Sequence, residues 1–197
     1  QNDVDRVIDA AKAVAIPADQ RILHILPQEF IIDDQDGVRE PVGMAGVRLE
    51  AKVHIVTGAV SAAQNISKCI RRCGLQVGDI ILEQLASSHS VLTDDEKELG
   101  VCMVDIGGGT TDIAVFIDGA IRFTSVIPIA GDHVTNDVAV ALRTPTQYAE
   151  QIKIKYASVM PDSIDPAEMI KVPSITKRPP KQVLRKALAG VVAARYD

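Results

Sequence analysis

At 197 residues the chain is long enough for one large domain or two small ones with a real core, and its 47 % apolar content excludes a disordered polymer. A net charge of −5 argues against general nucleic-acid binding, and no apolar run is long enough to form a membrane-spanning helix. Only 3 % of residues are aromatic and Trp is absent, so the core must be aliphatic, as in strands buried between helices.

Val4, Val7, Ile8, Ala11 and Val14 recur at helical spacing, and Pro17 ends that helix. The chain opens at Gln1 inside this helix without a secretory leader, as expected of an internal piece of a longer protein. Arg21–Leu26 has strand length, Phe30-Ile31-Ile32 follows Pro27, and residues 33–46, rich in Asp, Gly and Pro, read as loop. From Val47 to Ile55 the pattern alternates. Val47, Leu49, Ala51, Val53 and Ile55 fall on one side, and Arg48, Glu50, Lys52 and His54 on the outward one.

Gly58–Cys73 reads as a helix stopped by Gly74. A short strand is expected at Asp79–Leu82, a small-residue helix at Leu85–Leu92, and an acidic surface turn at Thr93–Gly100. Strands follow at Val101–Asp105, Ile113–Ile117 and Ile121–Ile127, with Asp118-Gly119 a strong hairpin signal between the last two. Helices are expected at Asp132–Leu142 and Thr146–Ala157. An irregular stretch then holds one extended piece near Val172, and a last helix starts at Pro180 and runs to about Tyr196. The three cysteines, Cys69, Cys73 and Cys102, lack framework spacing and suit a reducing cytoplasm. Cys69 and Cys73 stand at i, i+4, but small buried thiols are the expected reading, since no further ligand lies nearby.

The chemistry is concentrated in Val101-Cys-Met-Val-Asp-Ile-Gly-Gly-Gly-Thr-Thr-Asp-Ile-Ala-Val-Phe116. A strand that ends in Asp105 holds a carboxylate rigidly, where it can organise Mg²⁺ through the ion's water shell. Gly107, Gly108 and Gly109 let the backbone turn tightly and bring N–H groups against phosphate oxygens, and Thr110 and Thr111 add hydroxyl donors. A structural hairpin with a glycine tip is the other reading. The pattern is not a P-loop, because no Lys follows the glycines and the next element is a strand.

This stretch resembles the second phosphate loop of the actin, chaperone-ATPase and sugar-kinase superfamily. Leu82-Glu-Gln-Leu-Ala-Ser-Ser88 is similar to its Glu-Pro-x-Ala-Ala connecting segment, which implies that Glu83 helps position an attacking water. A plain surface Glu at a helix start is the alternative. Ala149-Glu-Gln-Ile-Lys153 resembles the bacterial-actin helix that touches ribose and adenine. That implies contacts from Glu150 and Lys153, with an ordinary i, i+3 surface ion pair as the alternative. Gly131 resembles the glycine that lets backbone run close to the nucleotide.

Residues Ile25–Asp33 and Pro41–His54, with Leu85–Thr93 and Arg178–Lys181, resemble the FtsA family of cell-division proteins. The resemblance implies an α/β chain with part of the actin-like ATPase fold. It implies an FtsA-specific subdomain 1C over residues 1–57, first-lobe core over 58–99, second-lobe core with the phosphate loop over 100–145, and an outer second-lobe subdomain over 146–197. It also implies ATP and Mg²⁺ as cofactors, with weak or absent ATPase activity. The first phosphate loop is expected before Gln1. The Thr-Gly-Gly adenosine motif and a membrane-attaching amphipathic helix are expected after Asp197.

The partners implied are the C-terminal tail of FtsZ, further copies of the same protein in filaments, and later division proteins met through 1C. The location implied is the cytoplasmic face of the inner membrane at the division site. Lys181, Arg185, Lys186 and Arg195, with Tyr196 and the preceding Lys177 and Arg178, form the basic stripe expected to dock the acidic FtsZ tail; a solvated face is the alternative. A pilus-assembly ATPase scaffold and an actin-fold small-molecule kinase are the competing functions.

Overall fold

The computed structural model describes residues 1–173 and 179–196. They fall into two compact units, Gln1–Asp105 with Asp112–Ser125, and Ile106–Thr111 with Val126–Asp197.

In the first unit, β1 (Gln20–Ile32) lies between β2 (Gln35–Val38) and β3 (Leu49–Ala59) in the order β2-β1-β3. β1 is one strand rather than two pieces broken at Pro27. Its pairing to β3 shifts register between Pro27 and Glu29, and such a bulge tolerates a residue with no N–H to give. β2 lies within the stretch expected to be loop, because Asp33, in the left-handed region at φ 53°, turns the chain back on itself. Asp33 Oδ1 accepts from the N–H groups of Val47 and Arg48 at 3.0 and 2.9 Å.

Helix α1 (Asn2–Ala11) packs Val4, Val7 and Ile8 against Phe30, Ile32 and Val38, with Leu49 and Ala51 beside them. The alternation of β3 therefore holds over Leu49 and Ala51, whereas Val47 precedes the strand and is fully exposed. His54 does not face outward. It is half-buried, with Nε2 3.1 Å from Thr124 Oγ1, and burial lowers its pKa below 6.5.

β4 (Val101–Ile106), β5 (Thr111–Ile117) and β6 (Ala120–Ile127) form a second sheet in that order, around Met103, Ala114, Phe116 and Ile121. Asp118 and Gly119 have φ of 57° and 73°, as a two-residue turn with both central residues left-handed requires. Helix α2 (Val60–Arg72) buries only Ala63, and all three cysteines are exposed, contrary to the expectation of buried thiols. Cys69 and Cys73 lie off the face that carries Ala63, and strand alternation turns Cys102 outward with Val104 and Ile106 while Met103 points inward.

No strand forms at Asp79–Leu82. Asp79 Oδ1 takes the Ile80 N–H at 2.7 Å, and His24 Nε2 takes that of Leu82 at 2.9 Å. Helix α3 (Glu83–Val91) follows. The acidic stretch after it is a helix, α4 (Asp94–Leu99), because Thr93 and Glu96 form a capping box.

In the second unit, α5 (Gly131–Leu142), α6 (Thr146–Tyr156) and α7 (Arg185–Tyr196) enclose a core of Val134, Val138, Leu142, Ile152, Leu188 and Val192. Ile170 and Val172 join it from β7 (Met169–Val172), which pairs with β8 (Lys181–Leu184). The last helix thus begins at Arg185, five residues later than its proline suggests. Lys181 to Leu184 are held extended because each pairs with a residue of β7.

Candidate functional site

Asp105 is the penultimate residue of β4 and is partly exposed, and Asp112 is the second residue of β5 and buried. Helix α3 holds both. Ser87 Oγ donates to Asp105 Oδ2 at 2.7 Å, and Gln84 Nε2 donates to Asp112 Oδ1 at 2.7 Å. Gln84 and Ser87 are one turn apart, so one helix face fixes two carboxylates that flank the glycines in sequence. Gln84 is 1 % exposed, and its Oε1 is buried without a partner. A buried carbonyl without a partner is uncommon in folded proteins. Glu83, the first residue of α3, is exposed, and its carboxylate suits the positive end of the helix dipole.

The glycine loop is anchored to the start of α5. Gly131 N–H donates to the Gly107 carbonyl at 3.1 Å and Asp132 N–H to the Gly108 carbonyl at 2.8 Å. The loop closes on itself through Gly107 N–H to Thr110 O at 2.9 Å. None of the three glycines has positive φ, so the loop does not need them for left-handed backbone. A Cβ on Gly108 would sit 3.2 Å from Asp132 Oδ2, and one on Gly131 would sit 3.4 Å from Gly107 O and 3.5 Å from Lys153 Nζ. Around Gly109 the space is open. Thr111 Oγ donates to the Ile129 carbonyl at 2.6 Å and so braces the loop from within. Thr110 is exposed at the loop's end.

Glu150 and Lys153, at i, i+3 on α6, pair at 2.7 Å. Lys153 also reaches the Gly131 carbonyl, so the structure brings Gly107, Gly108, Gly131, Glu150 and Lys153 together. Thr135 joins them. It is 4 % exposed and contacts Lys153, Glu150 and Gly131. Lys153 first and then Thr135 hold the Glu150 carboxyl below its usual pKa. A pocket of about 330 Å³ adjoins, lined by Gly131, Val134, Lys153, Ala157, Val192 and Tyr196 among others.

The basic residues are distributed differently from a helical stripe. Lys181 is exposed on β8, while the three cations of α7 are each paired with an acid of the same unit. Arg185 meets Glu168 at 3.0 Å, Lys186 meets Asp162 at 3.1 Å, and Arg195 grips Asp137 with two bonds of 2.6 and 2.7 Å. Tyr196 is exposed at the end of α7. Lys177 and Arg178 lie outside the described residues.

Sequence reading passed over Gln84, Ser87, Thr135 and Asp137. The available signals were polar side chains one turn apart on a small-residue helix, and a hydroxyl one turn after Gly131.

The strand–glycine loop–strand hairpin anchored to a following helix belongs to a protein of the actin-like ATPase fold, present here in part. Two solved structures share that fold. MreB5 of Spiroplasma citri bound to ADP aligns with a TM-score of 0.52 and 23 % identity over 70 % of this chain and 43 % of that one. A PilM–PilN type IV pilus biogenesis complex aligns with a TM-score of 0.57 and 14 % identity over 79 % and 43 %.

The chain belongs to the FtsA family of cell-division proteins. The family described as cell division protein FtsA matches residues 102–195, and the SHS2 domain inserted in FtsA matches residues 1–57. Cell division protein FtsA of Pseudomonas aeruginosa is 70 % identical over 99 % of this chain, that of Neisseria meningitidis 55 % over all of it, and that of Escherichia coli K12 50 % over all of it. The chain spans about half the length of these curated relatives, 47 %, 48 % and 47 % respectively. Among the described residues, no helix is long and apolar enough to cross a membrane.

Proposed function

We propose that the whole protein is a cell-division actin homologue that binds ATP with Mg²⁺, self-associates into filaments and tethers FtsZ to the cytoplasmic face of the inner membrane. The observation that carries the nucleotide part is the loop Gly107–Gly109. Its carbonyls are fastened to α5 by Gly131 and Asp132, and the glycines leave the backbone bare where a phosphate would have to approach. The MreB5 likeness supports the same reading, since that structure carries ADP.

The residues present fit the group. Asp105, steadied by Ser87, would hold Mg²⁺ through its water shell. The ion would be shared between this one carboxylate and the phosphates. Gly107, Gly108, Gly109 and Thr110 would cradle phosphate, and Thr111 braces them through Ile129. Glu150, with Lys153 behind it, would meet the nucleoside, and Glu83 would orient water. The nucleotide supplies the phosphoanhydride bond that a weak hydrolysis would break.

Residues 1–57 are assigned to subdomain 1C, which would contact later division proteins and neighbouring copies, and residues 58–99 to the first-lobe core. Residues 100–145 carry the phosphate loop. Residues 146–197 would dock the acidic FtsZ tail through Lys181, Arg185, Lys186, Arg195 and Tyr196. Membrane attachment is assigned to a C-terminal amphipathic helix beyond Asp197.

Tethering is tested by reconstitution. The full-length protein on vesicles of inner-membrane lipid should recruit FtsZ filaments with ATP present, and should fail to recruit FtsZ that lacks its C-terminal tail. Equal recruitment of intact and tailless FtsZ would refute this reading.

A further inference from the structure

Helix α3 begins without a capping side chain of its own. Its N-cap residue, Leu82, has no side-chain oxygen to offer the N–H groups that follow. In a capping box the N-cap N–H is taken by a Glu or Gln three residues on. Helix α4 is built that way, with Glu96 Oε2 accepting from the Thr93 N–H at 2.8 Å. At α3 the same place is held by Leu85, which is apolar and packs against Met103, Ala114, Phe116 and Ile121. The acceptor comes instead from a strand 58 positions upstream, where His24 Nε2 takes the Leu82 N–H at 2.9 Å.

The half-buried His24 pairs with Val56 of β3, directly after a register shift at Leu23. Bulges of this kind re-aim the side chains beside them. β1 is also held to the second sheet of its unit. Gln28 Nε2 donates to the Ile121 carbonyl of β6 at 2.8 Å, and Leu26 packs into the same cluster as Leu85. His24 is therefore an acceptor on a fixed strand. A backbone N–H can only donate, so Nε2 carries no proton in this bond and the ring proton sits on Nδ1.

We propose that His24 is a positioning residue for the carboxylate that holds Mg²⁺: by capping α3 from β1, it sets the helix where Ser87 Oγ meets Asp105 Oδ2. The inference rests on the nucleotide reading above and adds to it a residue of the stretch 1–57 that acts on the site without touching the ligand. Three links make the path. His24 fixes the Leu82 N–H, the first turns of α3 carry that position to Ser87, and Ser87 donates to Asp105 at 2.7 Å. α3 has only nine residues, so freeing its start loosens much of it.

The test titrates the full-length protein with ATP in Mg²⁺ and in EDTA. His24→Phe keeps a ring but removes the acceptor. It should weaken ATP binding roughly two- to fivefold in Mg²⁺ and leave binding in EDTA unchanged. His24→Gln puts Oε1 about where Nε2 stood and should restore wild-type affinity, whereas the shorter His24→Asn should not. His24→Phe combined with Ser87→Ala should bind no more weakly than Ser87→Ala alone, because both changes lie on one path. A histidine of the fold alone would give equal losses in Mg²⁺ and EDTA, or a loss that multiplies with that of Ser87→Ala. Either result overturns the proposal while nucleotide binding stands. If His24→Phe does not fold, the other two variants decide, and equal affinities of His24→Gln and His24→Asn in Mg²⁺ overturn it. If wild type binds no ATP at all, the nucleotide reading itself fails and the inference falls with it.

Discussion

Ser87 Oγ donates a 2.7 Å hydrogen bond to Asp105 Oδ2, so a helix residue eighteen positions upstream fixes the carboxylate at the end of β4. A freely rotating carboxylate would have to be ordered each time it organised a hydrated ion, whereas this one is ordered beforehand. Ser87→Ala in the full-length protein should therefore weaken ATP binding with Mg²⁺ about two- to tenfold and leave binding in EDTA unchanged. Titrations with and without the ion check this. An equal loss in both would make Ser87 a residue of the fold alone.

The glycine loop gives a steric prediction. A Cβ on Gly108 already stands 3.2 Å from Asp132 Oδ2, and the branched side chain of Gly108→Val would intrude further, toward the Asp132 carboxylate and the loop's open side. Nucleotide binding should be lost. The thermal midpoint should change little, because the loop is exposed and its φ values are ordinary. A variant with intact nucleotide affinity would remove the loop from the phosphate site.

Stability in the second unit should depend on Leu188, which is 0 % exposed in the cluster that joins α5, α6, α7 and β7. Leu188→Ala should cost about 2–5 kcal/mol through lost burial and the cavity left behind. Chemical denaturation of the full-length protein measures this, and a cost under about 1 kcal/mol would contradict the packing described.

Much of this organisation was legible in the sequence. The spacing of Val4, Val7 and Ile8 matches the face that packs on Phe30 and Ile32, and the hairpin Asp118-Gly119 turns where expected. What was not legible depended on partners distant along the chain. Pro27 stays in a strand only because β3 accommodates it with a bulge, and residues 181–184 are extended only because β7 lies beside them. The apolar run at Asp79–Leu82 has strand composition, yet its N–H groups go to Asp79 and His24. Around the loop, the glycines and Asp105 stood out by residue type, and Glu150 and Lys153 by the resemblance of the stretch Ala149–Lys153. Ser87, Gln84 and Thr135 did not, because a serine, a glutamine or a threonine carries no signal until its long-range hydrogen bond is known.

The pairing of Arg195 with Asp137 leads to a pH prediction and, under the proposed docking, to an affinity prediction. The Arg195 hydrogen bonds, followed in weight by an opposing burial effect, leave the Asp137 pKa below its ordinary 3.8. A depressed carboxylate contributes stability that is present above the unfolded value and is lost as pH falls through the folded one. Arg195→Gln should therefore be less stable than wild type at neutral pH, and the difference should close below about pH 4. Denaturation midpoints at several pH values decide it, and a gap that persists in acid would mean the pair is not its source.

Under the proposed docking, an acidic FtsZ tail would share Arg195 with Asp137. Arg195→Glu should weaken tail-peptide binding about three- to tenfold at low salt and less at high salt. Arg195→Gln serves as the control, because the reversal also sets two carboxylates together. Equal affinities and equal salt slopes for the three proteins would leave these cations as a solvated, internally paired surface.

The central claim, that the hairpin Asp105–Asp112 serves a nucleotide, is tested most directly by titrating the full-length protein and its Asp105→Ala variant with ATP in the presence of Mg²⁺. Saturable binding by wild type is expected, together with its loss in the variant at an unchanged thermal midpoint, since Asp105 is partly exposed and supports no apolar contact of the Met103 and Phe116 core. Equal ATP affinity for the two proteins would contradict the account.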